Sequence, residues 1–131
     1  MPSESEPKVS WNSYPSIVLI GDSLTERGFE SDGWVSLLAN SLKRKCDVIN
    51  RGFSGYNTHH IRAIFDEILK DTDIKNTDIA AITIFFGAND AYLPDMVPKQ
   101  HVPLEEYTDN LRVLVRGSEP TNLINEKTVT N

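Results

Sequence analysis

The chain has 131 residues, 39% hydrophobic and 24% charged, with seven glycines and seven prolines. Those figures exclude collagen-like, low-complexity and wholly disordered classes and fit one soluble domain with a core of its own. Thirteen basic residues against nineteen acidic ones leave a net charge of −6, so no general binder of nucleic acid or anionic membranes is expected, because phosphate affinity comes from clustered Lys and Arg.

Residues 1–15 read as a loose leader, polar and acidic with Pro2, Pro7 and Pro15. A secretory signal would be basic and then apolar, and no apolar run reaches the eighteen residues of a membrane span. The expected address is cytoplasmic. The apolar run Ile17–Ile20, closed by Gly21, predicts a parallel strand covered on both faces. A helix follows, with Ser31 or Asp32 as N-cap, Trp34, Leu37, Leu38 and Leu42 on its buried side, and Lys43–Lys45 at its C-terminus. Cys46, the one cysteine, cannot close an internal disulfide and reads as a buried or half-buried thiol. Val48 and Ile49 mark a second strand inside Asp47–Arg51.

The clearest helix follows, with Ile61, Ile64, Phe65, Ile68 and Leu69 at i, i+3, i+4, i+7, i+8 spacing and Asn57 or Thr58 as cap. A polar turn over residues 71–78 leads to a third strand, Ile79–Phe86, and then to a loop over 91–103 with three prolines. Pro103 suits the first position of a last helix that buries Leu104, Tyr107, Leu111, Leu114 and Val115. Strands alternating with helices predict an α/β fold of right-handed βαβ units. Residues 116–131 are polar and expected to be disordered, with no fourth apolar strand, so strand three is expected to have an open edge through which the chain associates with itself or with a complementary fragment.

Three clusters stand where such a sheet builds its site, just beyond the carboxyl ends of the strands. Gly21-Asp22-Ser23-Leu24 follows strand one, Gly52-Phe53-Ser54-Gly55-Tyr56-Asn57 follows strand two, and Gly87-Ala88-Asn89-Asp90 follows strand three. Each alone is an ordinary turn or cap. Together they offer a serine hydroxyl, a glycine N–H and an asparagine amide, the parts of a nucleophile with an oxyanion hole. His59 and His60 read as a solvated helix face, and the acidic residues Asp66, Glu67, Asp71, Asp73 and Asp78 as another, with no metal-ligand spacing. Trp34 and Phe65 read as core. Phe53 and Tyr56 fit either core packing or the wall of an acyl or alcohol pocket.

Here the sequence resembles the GDSL, or SGNH, serine esterases and lipases. Gly21–Leu24 matches the first family block, Gly55 the glycine of the second, and Gly87-x-Asn89-Asp90 the third. The stretches 50–58, 83–90, 98–101 and 103–107 look more particularly like the isoamyl acetate-hydrolysing esterases. The likeness covers about residues 16–115. It implies a flavodoxin-like, three-layer SGNH-hydrolase fold, truncated here to about three strands and three helices. It also implies hydrolysis of short-chain, acetate-type esters through an acyl-enzyme on Ser23. The oxyanion would be held by Ser23, Gly55 and Asn89, with neither metal nor organic cofactor, and the partner would be a small-molecule ester.

The family's fourth block, Asp-x-x-His, supplies the histidine that takes the serine proton, and it has no counterpart here: Tyr56, Asn57 and Pro98 stand three residues before His59, His60 and His101. Losing that histidine costs a serine hydrolase on the order of a millionfold in turnover. The chain is therefore expected to be the N-terminal part of an esterase, weakly active or inactive alone. The alternative is a catalytically dead binding module that keeps the oxyanion pocket. A nucleotide-binding reading has neither Gly-x-x-x-x-Gly-Lys-Ser/Thr nor Gly-x-Gly-x-x-Gly to support it.

Overall fold

A computed structural model describes residues 13–97 and 99–120. Most of the expected leader and of the polar tail lies outside the described residues. Three strands, β1 (Ser16–Gly21), β2 (Asp47–Gly52) and β3 (Ile79–Phe85), form one parallel sheet in the order β2-β1-β3. The helices are α1 (Ser23–Glu26), α2 (Trp34–Ser41), α3 (Thr58–Leu69), α4 (Thr72–Lys75) and α5 (Leu104–Gly117), with a single 3₁₀ turn at Arg27–Phe29. The first crossover leads from β1 to β2 on one side, and the second leads from β2 past β1 to β3. Right-handed crossovers in opposite directions put their helices on opposite faces of the sheet.

Side-chain alternation along β1 divides the interior accordingly. Val18 and Ile20 join Ile61, Phe65, Ile68 and Leu69 of α3 and Leu114 of α5 in one buried cluster. Leu19 is buried on the opposite face. The register sets Ile82 and Ile84 of β3 beside Val18 and Ile20, and both pack against the same cluster. Ala81, Thr83 and Phe85, on the Leu19 side, are exposed. Among the described residues β3 is thus the outer strand at one edge and open on one face.

Several sequence expectations change. The inward residue of α2 is Val35, fully buried, whereas Trp34 is 41% and Leu37 57% exposed. The helix is rotated so that Val35, Leu38 and Leu42 face inward, and the Trp34 indole lies across the preceding turn, donating to the Leu24 carbonyl at 2.8 Å. Gly33, not Ser31 or Asp32, is the N-cap, because Asp32 turns the chain with a φ of 61°. The helix stops at Ser41, so Lys43–Lys45 lie in the turn beyond it. The polar turn at 71–78 contains the short helix α4, which buries Ile74 completely. The acidic residues Asp66, Glu67, Asp71, Asp73 and Asp78 are exposed, as expected of a solvated face, and two of them, Asp71 and Asp73, approach Arg51 at 3.4 and 3.5 Å. Strand β3 ends at Phe85, one residue early.

In α5, Pro103 occupies the N-cap rather than the first turn, and Leu104 and Val115 are 78% and 54% exposed. The helix packs through Leu114 and Asn110, with Gly117 against the Phe65 ring, and that contact uses only one side of it. Residues 104, 111 and 115 share another side. Ile61→Ala, emptying a fully buried position on α3, should lower unfolding stability by about 2–5 kcal/mol. Leu37→Ala on the exposed side of α2 should change it by less than about 0.5 kcal/mol, and urea denaturation of both variants checks the contrast.

Candidate active site

The three clusters meet because their strands end level. Gly21 is in register with Gly52 on one side and with Phe85 on the other. The Phe53 N–H donates to the Gly21 carbonyl at 2.8 Å, carrying the β1–β2 ladder one step past the strand ends. Ser23, Gly55 and Asn89 therefore all stand at the carboxyl end of the sheet, where the sequence placed them.

Ser23 opens α1, capped by Asp22, whose buried carboxylate accepts the Leu24 N–H at 2.9 Å. This one-turn helix is held from below by β2. The Asn50 side chain donates to the Thr25 carbonyl and accepts the Gly52 N–H, both at 2.8 Å. A Cβ on Gly52 would fall 2.1 Å from the Glu26 nitrogen, so only glycine lets β2 pass this close under α1. The Ser54 hydroxyl donates to the Glu26 carboxylate and ties the second cluster to the same helix.

Gly55 has a φ of +80°, a left-handed conformation that side-chain-bearing residues rarely adopt. Phe53 and Tyr56 flank it with rings stacked at 5.1 Å, and both pack against the core cluster. Their core-packing role is the one observed. Asn57 caps α3 by accepting the His60 N–H at 2.9 Å, while the His60 ring nitrogen Nδ1 accepts the Asn57 N–H at 3.1 Å. His60 is consequently half of a capping box and not a solvated face. The pattern of Asn57 with His60 three residues on was the available signal.

Asn89 donates one amide hydrogen to the Tyr56 carbonyl at 2.8 Å, which joins the third cluster to the second and leaves its other hydrogen uncommitted to that bond. Next to it, buried Asp90 accepts the Thr58 N–H at 3.0 Å and the Thr58 hydroxyl at 2.5 Å. The Thr58 hydroxyl in turn accepts from Asn110 of α5 at 3.0 Å. This polar network escaped the sequence reading, since nothing local to residue 90 points to residue 58.

The Nδ1 atoms of the three histidines meet partners other than Ser23. Exposed His59 lies 3.3 Å from the Glu106 carboxylate, His60 caps α3, and His101 Nδ1 is 2.7 Å from the Tyr92 carbonyl. His101 lines a cavity of about 340 Å³ with Gly87, Asp90, Ala91, Val102, Leu104 and Tyr107. The Tyr107 hydroxyl donates to the Phe86 carbonyl at 2.8 Å, and its pKa is raised above the usual 10.0 by burial and then by the Asp90 charge. Among the described residues no three His, Cys, Asp or Glu side chains gather in a metal-binding arrangement, and no helix is long and apolar enough to cross a membrane.

A parallel sheet with helices on both faces, carrying a serine, a glycine and an asparagine at three successive strand ends, defines an α/β protein with a crevice site. The chain belongs to the GDSL-like Lipase/Acylhydrolase family, which it matches over residues 19–124. It is 48% identical over 117 residues to isoamyl acetate-hydrolyzing esterase 1 homolog of Rattus norvegicus, a match covering 88% of this chain and 46% of that protein. It is 46% identical over 114 residues to GDSL esterase/lipase At5g62930 of Arabidopsis thaliana, covering 84% and 46%. The chain thus spans about half the length of the curated relatives it matches. A catalytic mutant of the acetylxylan esterase Axe2 from Geobacillus stearothermophilus has a similar structure, with a TM-score of 0.65, 25% identity, and coverage of 84% and 57%. AlinE4, an SGNH-hydrolase family esterase, shares the fold with a TM-score of 0.62 at 20% identity, covering 82% and 54%. The expected SGNH fold, in a form shorter than the full domain, is the one observed.

Two outcomes follow from this geometry. Gly52→Ala should push α1 off β2 and cost about 1–3 kcal/mol, by the scale of overpacked sites, with lost protection of the Thr25 and Glu26 amides in hydrogen exchange. A raised phenol pKa means that the folded chain binds its proton more tightly than the unfolded one. That stability is fully present below pH 10.0 and is lost as pH rises through the folded value. Tyr107→Phe should therefore flatten the fall in stability above pH 10, measured by urea denaturation at stepped pH.

Proposed function

We propose that this chain carries the nucleophile and oxyanion-binding part of a carboxylic-ester hydrolase that acts on short-chain, acetate-type esters. The observation that carries the reading is the level ending of the three strands, which brings Ser23, Gly55 and Asn89 to one end of the sheet. The names of its relatives agree with it, since the rat protein is called isoamyl acetate-hydrolyzing and Axe2 an acetylxylan esterase.

In this reading Ser23 Oγ attacks the ester carbonyl as its proton passes to a base. The carbonyl oxygen becomes an oxyanion, held by the backbone N–H groups of Ser23 and Gly55 and by the free amide hydrogen of Asn89. Collapse expels the alcohol, which takes the proton from the base, and leaves an acyl-Ser23 ester. Water, deprotonated by the same base, then attacks that ester and releases the acid. Such donors act chiefly on the transition state, where each is worth about 100- to 1,000-fold in rate. Among the described residues no histidine is hydrogen-bonded to Ser23, and the Nδ1 atoms of His59, His60 and His101 meet other partners. Relatives twice as long have room for the base in the half that this chain does not match.

That no described histidine bonds Ser23 favours a second reading, a binding module that keeps the oxyanion pocket without turnover. A fluorophosphonate probe followed by intact-mass measurement, with Ser23→Ala as control, separates the two. An adduct on the 131-residue chain that is absent from Ser23→Ala supports the hydrolase reading. No adduct on folded chain means that Ser23 is unactivated in it, and the same labelling of a longer form that includes the unmatched half then separates an incomplete hydrolase from a binding module.

A further inference from the structure

Asp90 adjoins the proposed oxyanion donor and takes no part in the chemistry set out above, yet it is 4% exposed and the most heavily bonded side chain of its loop. Adjacent residues of that loop grip the loop after β2 at two points. Asn89 holds the Tyr56 carbonyl, and Asp90 holds the N–H and hydroxyl of Thr58. One bond leaves a loop free to pivot, whereas two points fix both its height and its angle. The second point is the stronger, because an ionised acceptor makes the tighter hydrogen bond and Thr58 opens the twelve-residue helix α3, whose N-terminus favours a negative charge. The grip extends to α5, since Asn110 donates to the Thr58 hydroxyl and accepts from Arg62, both at 3.0 Å. The Asp90 carbonyl adds a bond from the Val102 N–H at 3.1 Å.

We propose that Asp90 is a positioning residue for Asn89. By clamping the loop after β3 to the first turn of α3, it holds the Asn89 amide at the angle needed to address the oxyanion. The proposal rests on the hydrolase reading for what Asn89 donates to. It concerns how that donor is held, and this has a separate readout.

The test measures fluorophosphonate labelling of Ser23 in the full 131-residue chain, resolved into reagent affinity and limiting rate. Asp90→Ala should lower the limiting rate by about 10- to 100-fold, within the range for weakening one oxyanion donor. Thr58→Val, which keeps the Thr58 N–H bond to Asp90, should lower it by less, and both should leave affinity within about twofold. Asp90→Asn, which keeps an oxygen acceptor for Thr58, should recover most of that loss. The double variant Asn89→Ala/Asp90→Ala should label no more than about threefold slower than Asn89→Ala, because residues acting through one another are not additive. Additive losses, or a wild-type rate in Asp90→Ala, would overturn the proposal. If Asp90→Ala does not fold, Thr58→Val and its double variant with Asn89→Ala decide the question. If the wild-type chain takes no label, the hydrolase reading fails for it, and side-chain amide NMR decides the positioning role. Loss of Asn89 amide protection in Asp90→Ala, in an otherwise native spectrum, supports the clamp, and unchanged protection refutes it.

Discussion

The bond between Asp90 and Thr58 joins two loops that leave the sheet on opposite sides of β1. A parallel sheet levels its strand ends but leaves the loops beyond them undirected, and at that height there is no ladder to hold them. Here the N-terminus of α3 does this work. Asn57 closes the helix with its own side chain and reaches the Gln100 carbonyl at 2.9 Å. Thr58 takes hold of Asp90, and Asn110 reaches in from α5. A buried polar group without a partner would cost about 1–3 kcal/mol, so each of these bonds also enforces the others. Polar side chains that would be liabilities in a plain core give this end of the molecule a single arrangement.

On the other side of β1 the serine is held differently, by steric closeness more than by charge. Gly52 lets the β2 backbone pass directly beneath Glu26, and Asn50 reaches Thr25. The nucleophile's platform is thus fixed to β2 and the amide's loop to α3, and the loop after β2 joins the two, through Ser54 to Glu26 and through Tyr56 to Asn89.

Much of this was legible in the sequence. The apolar run at 17–20, the helical spacing from Ile61 to Leu69 and the Asn57 cap are local signals of fixed period, and the structure has all three. The three small clusters were legible because parallel strands place their following loops together. The facing of α2 was not, because Trp34 and Val35 are both apolar and adjacent, and only the indole's bond to Leu24 decides which turns inward. The one-turn helices α1 and α4 are too short to show a period. Leu104 and Val115 looked buried because a stripe shows which side of a helix is apolar, not whether anything covers it. The Asp90 clamp depends on a pairing across the fold that no local pattern encodes.

The central strand comes first in the chain, and this shapes the route to the folded state. Ser16 pairs with Asp47 on one side and with Ile79 on the other, so both ladders close large loops before any local contact rewards them. Throughout that search Ile79–Phe85, without a charge or a proline and guarded only by Asp78 at its start, seeks a neighbour. Closing onto β1 is a first-order event, and meeting the same segment of another molecule is second-order. Any such meeting therefore gains on correct closure as protein concentration rises during refolding.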